Sequence, residues 1–263
     1  MSRMQLMAAL AALALTLPAA PVEAVELNVA TAINKAGRQR MLSQRIAKAS
    51  CQMALGVLPE TSARILEESI ALFEGQLAEI NAAAPTQQIR GSVAALAKTW
   101  HHYRAAASGP ATREACPRLS AQSDEVLAAA HRLTLELQDY SGTPIGRLVN
   151  VSGRQRMLSQ RLAKLYMVRA AGPDTPGLRD EMESARNEFA GALVLLQSAP
   201  ENTPALRREL DSVALQWEWF QGAIGQDGGL ASYRLVVADS SEAILRSMET
   251  VTRLYEELGS GKK

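Results

Sequence analysis

Several things are scarce in this 263-residue chain, and each shortage narrows what it can do. Its formal net charge is only +1, so no global field recruits nucleic acid or an anionic membrane, and any electrostatic recognition must be local. Aromatic residues make up 4% of the chain, and there are three histidines, His101, His102 and His131. They form no HxxxH or ExxH pair suited to a metal site inside a helical bundle, so they read as solvated or capping groups and no metal is expected. Two cysteines occur, Cys51 and Cys116, in no CxxC or CxxCH pattern. That argues against a thioredoxin-type site and an attached c-type haem. No nucleophile elbow, phosphate loop or paired carboxylates in a suitable context appear, so neither catalysis nor a cofactor is expected. Alternating strand patterns and Asn-Gly hairpin signals are nearly missing as well.

The longest apolar run stands at the N-terminus. Arg3, an apolar stretch from Met7 to Leu17 and the small-residue ending Val22-Glu23-Ala24 have the layout of a secretory signal peptide, residues 1–24, cleaved after Ala24. An uncleaved anchor helix is the alternative, but the run falls short of the roughly 20 residues that span a bilayer, and Pro18 and Pro21 interrupt the segment beyond it. The mature chain is therefore expected to be soluble and periplasmic.

The rest of the chain is written twice. Gly37 to Lys48, GRQRMLSQRIAK, returns as Gly153 to Lys164 with one change, Ile46 to Leu162. Phe73 matches Phe189 at the same offset, and Trp100 to Tyr103 matches Trp217 to Phe220 one residue further on. Shared landmark order points to duplication of a whole domain, giving units at 25–142 and 143–258. Each half carries four segments with helical apolar spacing, such as Ile65, Leu66, Ile70, Phe73, Leu77 and Ile80, separated by Pro- and Gly-rich breaks. The spacing predicts helices at 27–56, 60–83, 89–107 and 120–140, then 145–170, 178–197, 205–224 and 230–258. Short connections favour antiparallel neighbours, so the expected fold is all-α, with two tandem antiparallel four-helix bundles. In such a bundle the end of the first helix and the start of the fourth share a pole, which makes a Cys51–Cys116 bridge the expected pairing. Trp100, Tyr103, Trp217, Trp219 and Phe220 read as core and bundle-seam aromatics.

On a helical wheel, Leu42, Ile46, Ala49 and Met53 gather on the stripe that should face the bundle's own core. Gly37, Arg40, Gln44 and Lys48 gather on another, as do Gly153, Arg156, Gln160 and Lys164. A mid-helix glycine costs about 1 kcal/mol of helix propensity relative to alanine. Close approach of a helix or a small ligand is one reason to accept it. An arginine one turn along the same face can offer two parallel donors to a planar oxyanion. If the first helices of the two halves pack together, Arg40 and Arg156 meet across a pseudo-two-fold axis. Two guanidiniums about 6 Å apart repel by roughly 3 kcal/mol at an effective dielectric near 20, and an anion between them replaces that repulsion with hydrogen bonds. The competing reading is a salt-bridge network with acids such as Glu67, Glu68 or Glu183. Arg38, Arg45, Arg154 and Arg161 are expected to serve packing or ion pairing.

The segments INKAGRQRMLSQRIAKA and VNVSGRQRMLSQRLAKL resemble the first-helix motif of the type IV pili methyl-accepting chemotaxis transducer N-terminal (PilJ-type) domain, and also the periplasmic sensor domain of NarX-type nitrate/nitrite sensor kinases. The resemblance spans most of both halves. It implies a small-ligand sensor whose anion lies between paired first helices, with Gly37, Arg40, Gly153 and Arg156 at the matching positions. The family's lysine two residues before the glycine matches Lys35, but the second copy has Val151, so the implied site is asymmetric. Relatives continue into a kinase or methyl-accepting module, so a membrane receptor or sensor kinase is the implied partner. A helical interaction module engaging a receptor, a chemosensory protein or a pilus-linked component is the second reading.

Overall fold

A computed structural model describes residues 28–226 and 230–260; the signal peptide expected at 1–24 lies outside the described residues. Eight helices and no strand occur among them: α1 Val29–Ala54, α2 Pro59–Ala82, α3 Gln87–Ala107, α4 Ala115–Ser141, α5 Pro144–Ala171, α6 Pro176–Gln197, α7 Pro204–Ile224 and α8 Ala231–Gly259. The all-α expectation holds. Local chemistry marks the boundaries. Thr143, Thr175 and Thr203 each cap a helix whose next residue is proline, the side-chain oxygen accepting a backbone N–H two positions beyond that proline. A threonine satisfies one orphan donor there, and proline sits where its own missing N–H would be unbonded.

One expected boundary is wrong. The residues just before Ser120 read as loop in the sequence, but α4 begins at Ala115. Pro117 lies in its first turn, where proline is tolerated, so it does not mark a break. Cys116 thereby joins the helix and bridges to Cys51 near the end of α1, with the two Cα atoms 5.2 Å apart. The closed loop of 65 residues contributes about 4 kcal/mol in the chain-entropy model.

Helices α1–α4 form one antiparallel group and α5–α8 the other. Their matching aromatics occupy matching places. Phe73 stacks on Trp100 at 3.8 Å, and Phe189 stacks on Trp217 at 4.0 Å. Trp219 departs from its expected core role: it is 80% exposed and lies on the outer face of α7.

The most extensive helix pairing joins the two halves, α1 against α5. A single hydrophobic cluster runs through both groups, from Ile33 and Leu42 to Leu158 and Leu162. Each first helix is therefore covered on two sides. Leu42, Ile46 and Ala49 on one face are buried, and Arg40, Gln44 and Lys48 on the other are buried too. No described helix is long and apolar enough to cross a membrane.

Candidate functional site: the seam of the two first helices

Helices α1 and α5 meet in register, and the repeated glycines are what allow it. A Cβ placed on Gly37 would lie 3.1 Å from Arg40 Nη2 and 3.9 Å from Arg156 Nη2. On Gly153 it would lie 3.1 Å from Arg156 Nη2 and 3.5 Å from Arg40 Nη2. Both guanidiniums thus fill the space vacated at both glycines. Each reaches across the seam: Arg40 Nη2 donates to Asn150 O at 3.2 Å, and Arg156 Nη2 donates to Asn34 Oδ1 at 2.7 Å. Both arginines are 0% exposed.

The fourth helices enclose this seam, and their residues align when Ser123-Asp124 is set on Ser241-Glu242. Three equivalent positions then face the first helices. At the first, Glu242 accepts from Lys48 Nζ at 2.6 Å and from Arg45 Nη2 at 2.6 Å, while Asp124 accepts from Lys164 Nζ at 2.9 Å and lies 3.4 Å from Arg161 Nη1. Each of these lysines belongs to one half and its carboxylate to the other. Burial opposes the ionisation of Glu242, but Lys48 and Arg45 outweigh it and hold the carboxyl at about 2. Burial pushes Lys164 down to about 8, with Asp124 opposing it.

At the other two positions the halves differ. Glu249 receives Arg156 Nη1 at 2.5 Å and also pairs with Arg38 of the opposite half. Its counterpart is His131, whose Nδ1 is 3.3 Å from Arg40 Nη1 and whose Nε2 is 3.4 Å from Arg154 Nη1. Glu256 accepts from Asn34 Nδ2 at 2.5 Å, whereas Gln138 accepts from Asn150 Nδ2 at 2.7 Å. Helix α8 therefore offers three carboxylates where α4 offers one, a histidine and an amide. Burial, then Arg40 and Arg154, push His131 down to about 4, so it is neutral at pH 7. Burial and Arg154 push Arg40 down to about 9, which leaves it protonated. Among the described residues Arg40 makes no ion pair with a carboxylate, and its Nε has no hydrogen-bond partner.

The site residues singled out from the sequence divide. Gly37, Arg40, Gly153 and Arg156 come together. Gln44 and Gln160 lie further along the seam and donate to Ser123 O and Ser241 O, holding each first helix to its own fourth helix. Lys35 is not brought to the arginines, because its ammonium pairs with Glu79 on α2. The acids expected for a competing salt-bridge network are elsewhere: Glu68 pairs with Arg64 and Glu183 with Arg186. Asp124, Glu242 and Glu249 form the network instead. His131, expected to be solvated or capping, sits between two arginines. Its signal was present in the fourth helices, whose alignment needs a slightly longer offset than the first.

A cleft of about 820 Å³ opens at the pole lined by Asn28, Pro85, Leu137, Tyr140 and Ile145, and neither Arg40 nor Arg156 lines it. Among the described residues no group of three or more His, Cys, Asp or Glu side chains is placed to hold a metal ion.

No curated protein and no solved structure matches the chain. The family model described as "Type IV pili methyl-accepting chemotaxis transducer N-term" matches residues 23–132 and again residues 144–231. These two segments cover well over half of the chain and contain both glycine–arginine motifs. The chain belongs to this PilJ family of non-catalytic signalling domains, whose model it matches over two segments.

Proposed function

We propose that the chain is an exported, periplasmic sensor-type binding protein that recognises a small oxyanion, nitrate or nitrite foremost, through Arg40 and Arg156. The observation that carries this reading is the state of Arg40, a fully buried guanidinium with no carboxylate partner among the described residues and a second arginine beside it. Burying an unpaired charge is expensive, and removal of one partner from a buried pair commonly costs about 3–5 kcal/mol. An anion offsets that cost with charge-assisted hydrogen bonds and relieves the repulsion between the guanidiniums. Because the two arginines stand on different helices, the filled and empty seams favour different α1–α5 spacings. That difference is what a partner, such as a membrane receptor or sensor kinase, would detect. The units at 25–142 and 143–258 act here as the two sides of one site. The resemblance of both motifs to NarX-type nitrate sensors and the disulfide, a bond that persists in oxidising compartments, support the same reading.

Titration calorimetry of the mature chain with nitrate, nitrite, sulfate and chloride tests it, repeated on the Arg40→Ala, Arg156→Ala double variant. Uptake of nitrate or nitrite that the double variant loses is the expected result. Uptake of none, or uptake untouched by the substitutions, abandons the site. A second reading rests on Leu215 and Trp219, one turn apart on α7 and 63% and 80% exposed. Exposed aromatic and aliphatic side chains on one face suit a non-catalytic interaction module. A periplasmic partner that co-purifies regardless of Arg40 and Arg156, and is lost with Trp219→Ala, would favour it.

A further inference from the structure

The two halves build the same set of contacts twice, so one half shows what the other is missing. In the second half, the Glu249 carboxylate spans an arginine of its own half and one of the opposite half, Arg156 and Arg38. In the first half the equivalent pair is Arg40 and Arg154, and the group between them is the His131 imidazole. Arg154 has a carboxylate of its own in Glu188 on α6, whereas Arg40 has none among the described residues.

We propose that a small, flat monoanion with two coplanar oxygens, a carboxylate or nitrate, binds at the His131 position between Arg40 and Arg154, taking the place that Glu249 holds in the other half.

This rests on the anion-binding reading and locates its ligand off the axis, on the α4 side of Arg40. Access argues for that location. The space between Arg40 and Arg156 is closed by helix on both sides, and both side chains are 0% exposed. Glu249, by contrast, has a side chain 36% exposed, and His131 is likewise only part-buried. An anion can therefore reach the His131 position from solvent once the ring swings outward, with no separation of α1 from α5. The geometry of the template also limits the ligand. Glu249 presents one oxygen to each arginine, Oε1 to Arg38 and Oε2 to Arg156, which a planar two-oxygen anion reproduces and chloride does not. Burial first, and then Arg40 and Arg154, hold His131 neutral at pH 7, and the same two arginines attract negative charge.

The test is titration of the mature chain with formate and with nitrate at constant ionic strength, with sulfate and chloride as comparison anions, alongside thermal melting. His131→Glu places a tethered carboxylate in the site. It is expected to melt higher than the parent and to lose formate and nitrate uptake. Arg154→Gln, a change at a part-exposed position, is expected to weaken uptake by about ten- to a hundred-fold, the loss of one charge-assisted contact. Glu249→Gln opens the matching place in the second half and is expected to raise the stoichiometry from one anion to two. Formate and nitrate uptake unchanged in His131→Glu and in Arg154→Gln puts the anion on the axis between Arg40 and Arg156, overturning this proposal while the anion-binding reading stands. Uptake of sulfate or chloride in preference to the flat anions also overturns it. A parent chain that takes up no anion removes both.

Discussion

Glu249 on α8 and His131 on α4 hold matching places in the two halves, and only Glu249 brings a charge to the arginines it faces. The seam is therefore two-fold in backbone and one-sided in electrostatics. Arg156 has its counter-charge within the fold, and Arg40 has none among the described residues.

Removing the Glu249 charge should make the second half resemble the first. Glu249→Gln leaves the buried Arg156 without a carboxylate, and a buried pair broken on one side loses about 3–5 kcal/mol. Glu249 is part-exposed, so a loss on the order of 2 kcal/mol is expected in urea unfolding. Added formate should recover part of it, by ligand linkage.

The paired glycines separate space from propensity. Gly91 in α3 has nothing near the position of a Cβ, so Gly91→Ala should stabilise by about 0.5–1 kcal/mol through helix propensity. At Gly37 and Gly153 the added methyl meets a guanidinium nitrogen at 3.1 Å, tight enough to displace the arginine. Gly37→Ala and Gly153→Ala should gain little or lose stability, and both should weaken anion uptake. Melting curves and titrations on the three variants check this.

Stability should fall in two stages on acidification. His131 is held at about 4 in the folded chain, below the ordinary histidine value, so the unfolded chain binds more protons between the two values. Its contribution is present above about pH 6.5 and is lost as pH falls toward 4, on the order of 1 kcal/mol once solvent screening of a part-buried ring is allowed for. Arg40 on α1 and Arg154 on α5, itself paired with Glu188 on α6, are the charges that face the ring. Glu242, held at about 2, contributes above about pH 4.5 and loses that contribution as pH falls to 2. Melting temperature against pH should show both slopes, and His131→Gln should flatten the upper one alone.

The Cys51–Cys116 bridge lies in one half only. Replacing both cysteines with serine should cost about 4 kcal/mol by the loop-entropy estimate. Because one core runs through both halves, the loss should appear as a lower midpoint of a single urea transition. Two separate transitions in the variant would show that the halves unfold independently.

Much of this fold was legible in the amino-acid pattern because repeats and apolar spacing are local properties. Phe73 was matched to Phe189 and Trp100 to Trp217 by position alone, and in each half the phenylalanine stacks on the tryptophan. The wheel separated the Leu42–Ile46 face from the Arg40–Lys48 face, but could not show that the second face is buried as deeply as the first. That burial comes from docking α1 on α5, a contact between segments far apart in the chain, which no local periodicity encodes. The same docking draws Lys48 to Glu242 and Lys164 to Asp124, pairs that join opposite halves. Resemblance alone put Lys35 with the arginines, but Glu79 on α2 draws its ammonium away. Trp219 looked like core because it lies in an aromatic cluster, yet in α7 Trp217 and Phe220 take the inward positions and Trp219 points out.

Crystallography of the chain grown with nitrate tests most directly whether Arg40 is a cation awaiting a diffusible counter-charge. The expected result is a flat anion within hydrogen-bonding distance, about 2.7–3.0 Å, of the Arg40 guanidinium. Arg40 left without an anion at saturating nitrate, or paired to a carboxylate of its own chain, would contradict it.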